Sequence, residues 1–86
     1  MHFLSEFFGI KVYMSGDANL PPHFQAQYGD KTVFMDIKNA VVIKGVFPLK
    51  ELKLVVAWCE IHRDELLSAW ESLLNNGEIS EITPLQ

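Results

Sequence analysis

Residues 20–28, with the sequence LPPHFQAQY, combine a stiff backbone with an ionisable side chain. Pro21 and Pro22 fix φ and remove two backbone donors, so the chain cannot lie inside a sheet at that point. Directly after them, side chains of alternating character predict a strand that begins at His23, with Phe24 on its opposite face. The stretch therefore predicts a rigid corner that delivers one imidazole to the start of a β-strand.

On both sides of this corner the apolar residues continue to alternate, which is typical of half-buried strands. The strand segments are predicted at residues 10–14, 23–28, 32–37 and 40–44, with a tight turn at Gly29-Asp30. Short links between strands favour antiparallel neighbours, so we expect a meander of about four strands over residues 10–45. Residues 1–8 are apolar without a clear period and predict a short helical turn or an irregular cap over the core.

Pro48 marks the change from a period of two to a helical period, because proline is tolerated at a first helical position. Residues 49–76 predict either one bent helix or two consecutive helices with a break near His62. The apolar arc of residues 49–61 is too wide to face one sheet, so it needs a second cover. The expected fold class is α+β, with an extended tail over residues 78–86 that lies along a sheet edge.

The composition predicts one domain over residues 1–86, since 49% of the residues are apolar and the chain is short. A net charge of −4 disfavours binding to nucleic acid without a partner and binding to an anionic membrane surface. The longest apolar run, residues 54–59, is too short to span a bilayer. Cys59 is the only cysteine, which excludes an intrachain disulfide and fits a cytoplasmic protein.

His23 is the first candidate for chemistry, because a histidine held at a stiff strand start can transfer protons near neutral pH. Asp36 would approach it if the second and third predicted strands pair through the Gly29-Asp30 turn, giving a carboxylate–imidazole pair. Tyr28 could add a hydroxyl. The structural alternatives are a histidine that bonds a turn carbonyl, a solvated acid at a strand end and an ordinary β-strand tyrosine.

The remaining candidate residues are expected to have mainly structural roles. Pro21, Pro22 and Phe24 form the rigid motif itself. Trp58 and Trp70 are expected core anchors, and either could also serve an interface, because a small domain with so wide an apolar helix can bury part of it in a partner. Phosphate loops, CxxC pairs, HExxH and GxSxG are absent from the sequence, and neither a cofactor nor a metal ion is implied.

These residues resemble a small bacterial family known as domain-of-unknown-function family 4160. The matching motifs are Phe7-Phe8-Gly9-Ile10, Asp17-Ala18, Pro21-Pro22-His23-Phe24-Gln25-Ala26 with Tyr28, the Leu-x-Leu-Val-x-x-Trp pattern of residues 52–58, and Ile82-Thr83-Pro84-Leu85. The resemblance runs nearly end to end, and the Pro-Pro-His-Phe segment is its most specific part. It implies a bacterial cytosolic setting and a gene beside another small gene, an arrangement similar to a toxin–antitoxin pair.

The chain departs from the family pattern at two positions. Where members often carry a cluster of three histidines, Ala18 and Gln25 replace two of them and His23 remains. A metal site built from clustered imidazoles is therefore not expected here, and His23 with His62 offers no ligand spacing that would replace it.

Three functions can be ranked from the sequence. The first is a protein-interaction component of a two-gene, toxin–antitoxin-like system, whose partner is a small protein encoded nearby or a second copy of the chain. The second is a small metal-independent hydrolase or ribonuclease-type toxin that uses His23 as acid–base, with Asp36 or Tyr28 assisting. The third, a metal-binding protein, has the least support.

Overall fold

A computed structural model describes residues 1–85 and forms one α+β fold. Five strands precede two helices in the chain: β1 His2–Phe7, β2 Ile10–Met14, β3 His23–Tyr28, β4 Lys31–Asp36, β5 Val41–Gly45, α1 Leu49–Ile61 and α2 Arg63–Leu74. The strands form a single antiparallel sheet in the order of the chain, as the meander pattern predicts. Gln86 lies outside the described residues.

The prediction for residues 1–8 is wrong, because this segment contains β1 and gives the sheet a fifth strand. A bulge near Leu4 shifts the register between Phe3 and Ser5, which hides the period of two in the sequence. Phe8 and Gly9 then connect β1 to β2 with φ values of 51° and 79°. Two successive positive φ angles are the signature of a type I′ hairpin turn.

The core lies between one face of the sheet and the two helices. Trp58 of α1 is its centre, and its ring centroid lies 5.4 Å from that of Phe7 and 5.6 Å from that of Phe24. The sheet contributes a row of fully buried side chains from three neighbouring strands, because Val12 pairs with Ala26 and Ala26 with Val33. The alternation that predicts β2 thus also predicts which of its faces is buried, whereas β3 buries His23 and Gln25 of its other face as well.

Residues 49–76 form two helices rather than one bent helix. Their junction is His62, whose φ and ψ of −109° and 22° leave the helical region. Arg63 holds the junction against the sheet, since its Nε donates a 3.1 Å hydrogen bond to the carbonyl oxygen of Ile37. The wide apolar arc of α1 is only partly covered, because Leu49 and Ile61 remain mostly exposed.

The tail after α2 lies along the outer edge of β1, as the sequence predicts. The backbone N–H of Ile82 donates a 2.8 Å hydrogen bond to the carbonyl oxygen of Leu4. The indole N–H of Trp58 donates to the carbonyl oxygen of Thr83 at 2.9 Å. One edge of the sheet is therefore covered by the chain's own tail. Among residues 1–85, none of the helices has the length and apolar character needed to cross a membrane.

Candidate functional site

The two prolines build the corner that the sequence predicts. Pro22 is followed directly by β3, and its carbonyl oxygen accepts a 3.0 Å hydrogen bond from the backbone N–H of Ile37, just after β4. This bond closes the open end of the β3–β4 hairpin. His23 is thereby fixed as the cross-strand partner of Asp36. The backbone relationship expected for a carboxylate–imidazole pair is present.

The His23 side chain is bonded to its own corner. Its Nδ1 lies 2.9 Å from the carbonyl oxygen of Pro21. A carbonyl oxygen only accepts, so Nδ1 carries the proton, and Nε2 of the neutral ring has the lone pair. The ring is packed as well as bonded, because its centroid lies 5.0 Å from Trp70 and 6.1 Å from Phe34, and only 2% of the residue is exposed.

Asp36 directs its carboxylate toward the next turn. One oxygen accepts a 2.9 Å hydrogen bond from the backbone N–H of Lys38, and the other accepts a 3.0 Å bond from the side-chain amide of Asn39. This is an Asx-type turn that shapes the β4–β5 connection. Within residues 1–85, no hydrogen bond joins Asp36 to His23, so the carboxylate supports the turn and does not orient the imidazole.

Tyr28 lies away from His23 and Asp36. It stands at the other end of β3, about 16 Å from His23 at the usual rise per residue, and on the opposite face. Its ring packs edge-on against Phe47 at 6.2 Å. There it lines a separate cavity of about 420 Å³ together with Phe8, Lys50, Glu51 and Leu54. The three candidate catalytic residues therefore do not form one site.

Trp58 and Trp70, the candidate interface residues, both lie in the core. Any surface for a partner must be formed by other side chains.

Cys59 is also buried, and burial raises the pKa of its thiol from the usual 9.0 to about 11. A thiol that stays protonated at neutral pH is a poor nucleophile. Residues 1–85 contain no cluster of three His, Cys, Asp or Glu side chains suited to a metal ion.

The sheet face away from the core carries a row of residues that crosses all five strands. Successive register pairs join Phe3, Tyr13, Gln25, Phe34 and Lys44. The Lys44 ammonium lies 4.5 Å from the centroid of the Phe34 ring, a cation–π contact. The row was not predicted, because it depends on the registers of all four strand pairs.

The edge of β5 is the other feature that the sequence interpretation missed. None of the five residues of β5 is buried, and Val41, Val42 and the following Val46 are 52%, 40% and 76% exposed. Among residues 1–85, no segment other than β4 pairs with β5. We use "β5 edge" for the side of residues 41–46 that faces away from β4. The sequence signal for this exposed edge was the run of β-branched residues at 41–43, in which no polar residue alternates with the apolar ones.

A third feature is a groove of about 500 Å³ between α2 and the tail. Its rim carries the carboxylates of Asp64, Glu65, Glu78 and Glu81, and Ile82 lies in its wall. These acids make this side of the molecule negative.

Comparison with known proteins agrees with the motif resemblance. The model of one family matches residues 9–71, which include the prolines, His23, Asp36 and most of both helices. No curated protein and no solved structure matches the chain significantly. The matched residues cover well over half of the chain, and the protein belongs to the family described as domain of unknown function (DUF4160).

Proposed function

We propose that this protein is the protein-interaction component of a bacterial, cytoplasmic two-gene system that resembles a toxin–antitoxin pair. The observation that carries the proposal is the β5 edge, where Val41, Val42 and the following Val46 are exposed and the strand is paired on one side only, with β4. Exposed sheet edges with apolar side chains are sites for pairing with another chain, and monomeric proteins normally protect them. The partner is a small protein encoded by the neighbouring gene.

The geometry around His23 argues against catalysis by this residue. The imidazole is packed against Trp70 and bonded to Pro21, and the carboxylate of Asp36 is engaged by Lys38 and Asn39. A general base must reach the proton that it abstracts, within about 3 Å or through one water. A histidine residue that is 2% exposed offers little access to a substrate.

One observation favours the second candidate, a metal-independent hydrolase or ribonuclease-type toxin. Because Nδ1 of His23 donates to Pro21, the lone pair of Nε2 remains available, and no side-chain hydrogen bond engages Nε2 within residues 1–85. A substrate that displaces part of the Trp70 contact could then use Nε2 as a base. This mechanism requires movement at the corner, whereas the interaction role does not.

The deciding experiment expresses the tagged protein with and without the product of the neighbouring gene. We expect the two proteins to co-purify in a fixed ratio. Cell growth is measured in parallel for the wild type and His23→Asn, a variant that keeps a side-chain donor for the Pro21 carbonyl. If the protein alone slows growth and a folded, equally abundant His23→Asn variant does not, the second candidate is correct. If expression is harmless and the neighbour does not bind, the interaction proposal is wrong.

A further inference from the structure

The two edges of the sheet differ in how far other segments of the chain cover them. Both edge strands carry a bulge, near Leu4 in β1 and at Ile43 in β5. The β1 edge is in addition covered by the tail, through the hydrogen bond from Ile82 to Leu4. The β5 edge has no such cover within residues 1–85. A strand at an uncovered edge presents unpaired N–H and C=O groups, which bind an extended segment in register.

From this contrast we infer that the β5 edge binds the partner by strand addition, and that the added segment is extended, apolar and acidic. The inference rests on the proposed function and gives it a site and a binding mode. Backbone groups of β5 would supply hydrogen bonds, while Val41 and Val42 would contact alternate side chains of the incoming strand on the two faces of the sheet.

The acidic character of the segment follows from the charge distribution. Although the whole chain has a net charge of −4, the only charged residues in β5 and the turn before it, residues 37–45, are two lysines, Lys38 and Lys44. Lys44 lies on the strand itself and is exposed. A carboxylate opposite Lys44 on a neighbouring strand would form a favourable cross-strand pair. Complementary charge also accelerates association and excludes partners of like charge.

The same charges argue against a second copy of the chain as the occupant. A twofold interface through β5 brings the same surface of both copies together, so Lys38 and Lys44 of both copies would lie at one interface. The acidic groove between α2 and the tail belongs to other elements and could not neutralise them in such a dimer. A single added strand buries less than about 1,200 Å², the area at which standard-size interfaces begin, which predicts a reversible complex.

The test measures hydrogen exchange and affinity with the purified product of the neighbouring gene as the probe. We expect amides of residues 41–45 to become protected when the probe is added, while β2 is unchanged. Lys44→Glu should weaken binding about fivefold to tenfold, and Lys44→Arg should bind like the wild type. Lys11→Glu is the matched control, because Lys11 is an exposed strand lysine on β2, away from β5. We expect its affinity to stay within about twofold.

The outcomes separate this inference from the proposed function. If the wild type forms no complex, both are overturned. If a complex forms while residues 41–45 stay unprotected, or while Lys44→Glu and Lys11→Glu bind alike, the strand-addition site is wrong and the interaction function stands. If light scattering finds a dimer of this chain whose exchange protection maps to residues 41–45, the occupant is a second copy and the acidic partner segment is wrong.

Discussion

Trp58 and Thr83 join the core to the tail, through a 2.9 Å hydrogen bond from the indole N–H to the backbone carbonyl oxygen. Tryptophan N–H groups that are buried need an acceptor, and here the acceptor comes from a segment without regular structure. The bond therefore makes the tail part of the folded domain, next to the point where Ile82 pairs with β1.

The first prediction concerns Ile82, whose side chain is buried beside this bond. We expect Ile82→Ala to lower the free energy of unfolding by about 2–4 kcal/mol, because it leaves a cavity and loosens the cover of the β1 edge. Urea denaturation followed by tryptophan fluorescence measures the change. Thr83→Ala is the control, since Thr83 contributes only its backbone carbonyl and its side chain is exposed. Equal stability of both variants would show that the tail is not part of the core.

The second prediction compares two glycines with positive φ. Gly45 has a φ of 101°, and a Cβ there would collide with the Thr32 carbonyl oxygen and lie 2.9 Å from the Val33 Cα. Gly29 has a φ of 60° and an open surrounding. We expect Gly45→Ala to cost about 3 kcal/mol or more, and Gly29→Ala only about 1–2 kcal/mol. Thermal denaturation of both variants measures the two losses of stability. Equal losses would contradict this explanation.

Most of the fold could be predicted from the sequence because its patterns are local. The alternation of Ile10, Val12 and Met14 predicts both β2 and its buried face. The missed strand, β1, carries a bulge near Leu4 and ends in a turn without Asn or Asp, so neither its period nor its boundary has the usual signal.

The site was less predictable than the fold, because no local sequence pattern shows which hydrogen-bond partner a polar side chain takes. The pairing of His23 with Asp36 follows from hairpin counting and is present in the backbone register. That the Asp36 carboxylate bonds to Lys38 and Asn39 depends on the conformation of the next turn. A register fixes which residues are opposite each other, whereas competing hydrogen-bond donors decide where each polar group points.

The third prediction concerns the hairpin turn of β1 and β2. Phe8 adopts a φ of 51° and is 63% exposed, although type I′ turns favour Asn-Gly. We expect Phe8→Asn to raise the free energy of unfolding by about 0.5–1 kcal/mol, because it relieves the strain without losing buried contacts. Phe3→Asn is the control and should destabilise, since Phe3 packs edge-on against Tyr13 at 5.8 Å. A destabilised Phe8→Asn variant would mean that the Phe8 ring has contacts that outweigh the strain.

The fourth prediction is a pH dependence caused by Cys59. Burial raises the pKa of its thiol from 9.0 to about 11, although the nearby Arg63 acts in the opposite direction. Between these two values the unfolded chain has lost the thiol proton and the native protein has kept it. Stability must therefore fall as the pH rises from about 9 to about 11.

Cys59→Ala isolates this effect from every other contribution to the pH dependence of stability. The stability of the wild type relative to Cys59→Ala should decrease between pH 9 and pH 11 and then become constant, as measured by urea denaturation at each pH. A difference that does not change with pH would mean that the thiol ionises equally in the folded and unfolded states.

The last prediction decides what His23 contributes. His23→Ala removes the bond to the Pro21 carbonyl and the packing against Trp70, so we expect a loss of about 2–3 kcal/mol in the free energy of unfolding. His2→Ala, at an exposed position on β1, should change stability by less than about 0.5 kcal/mol. If His23→Ala is as stable as the wild type, the corner does not need the imidazole. The structural explanation would then fail, and acid–base chemistry at Nε2 would become the better explanation for a histidine in this position.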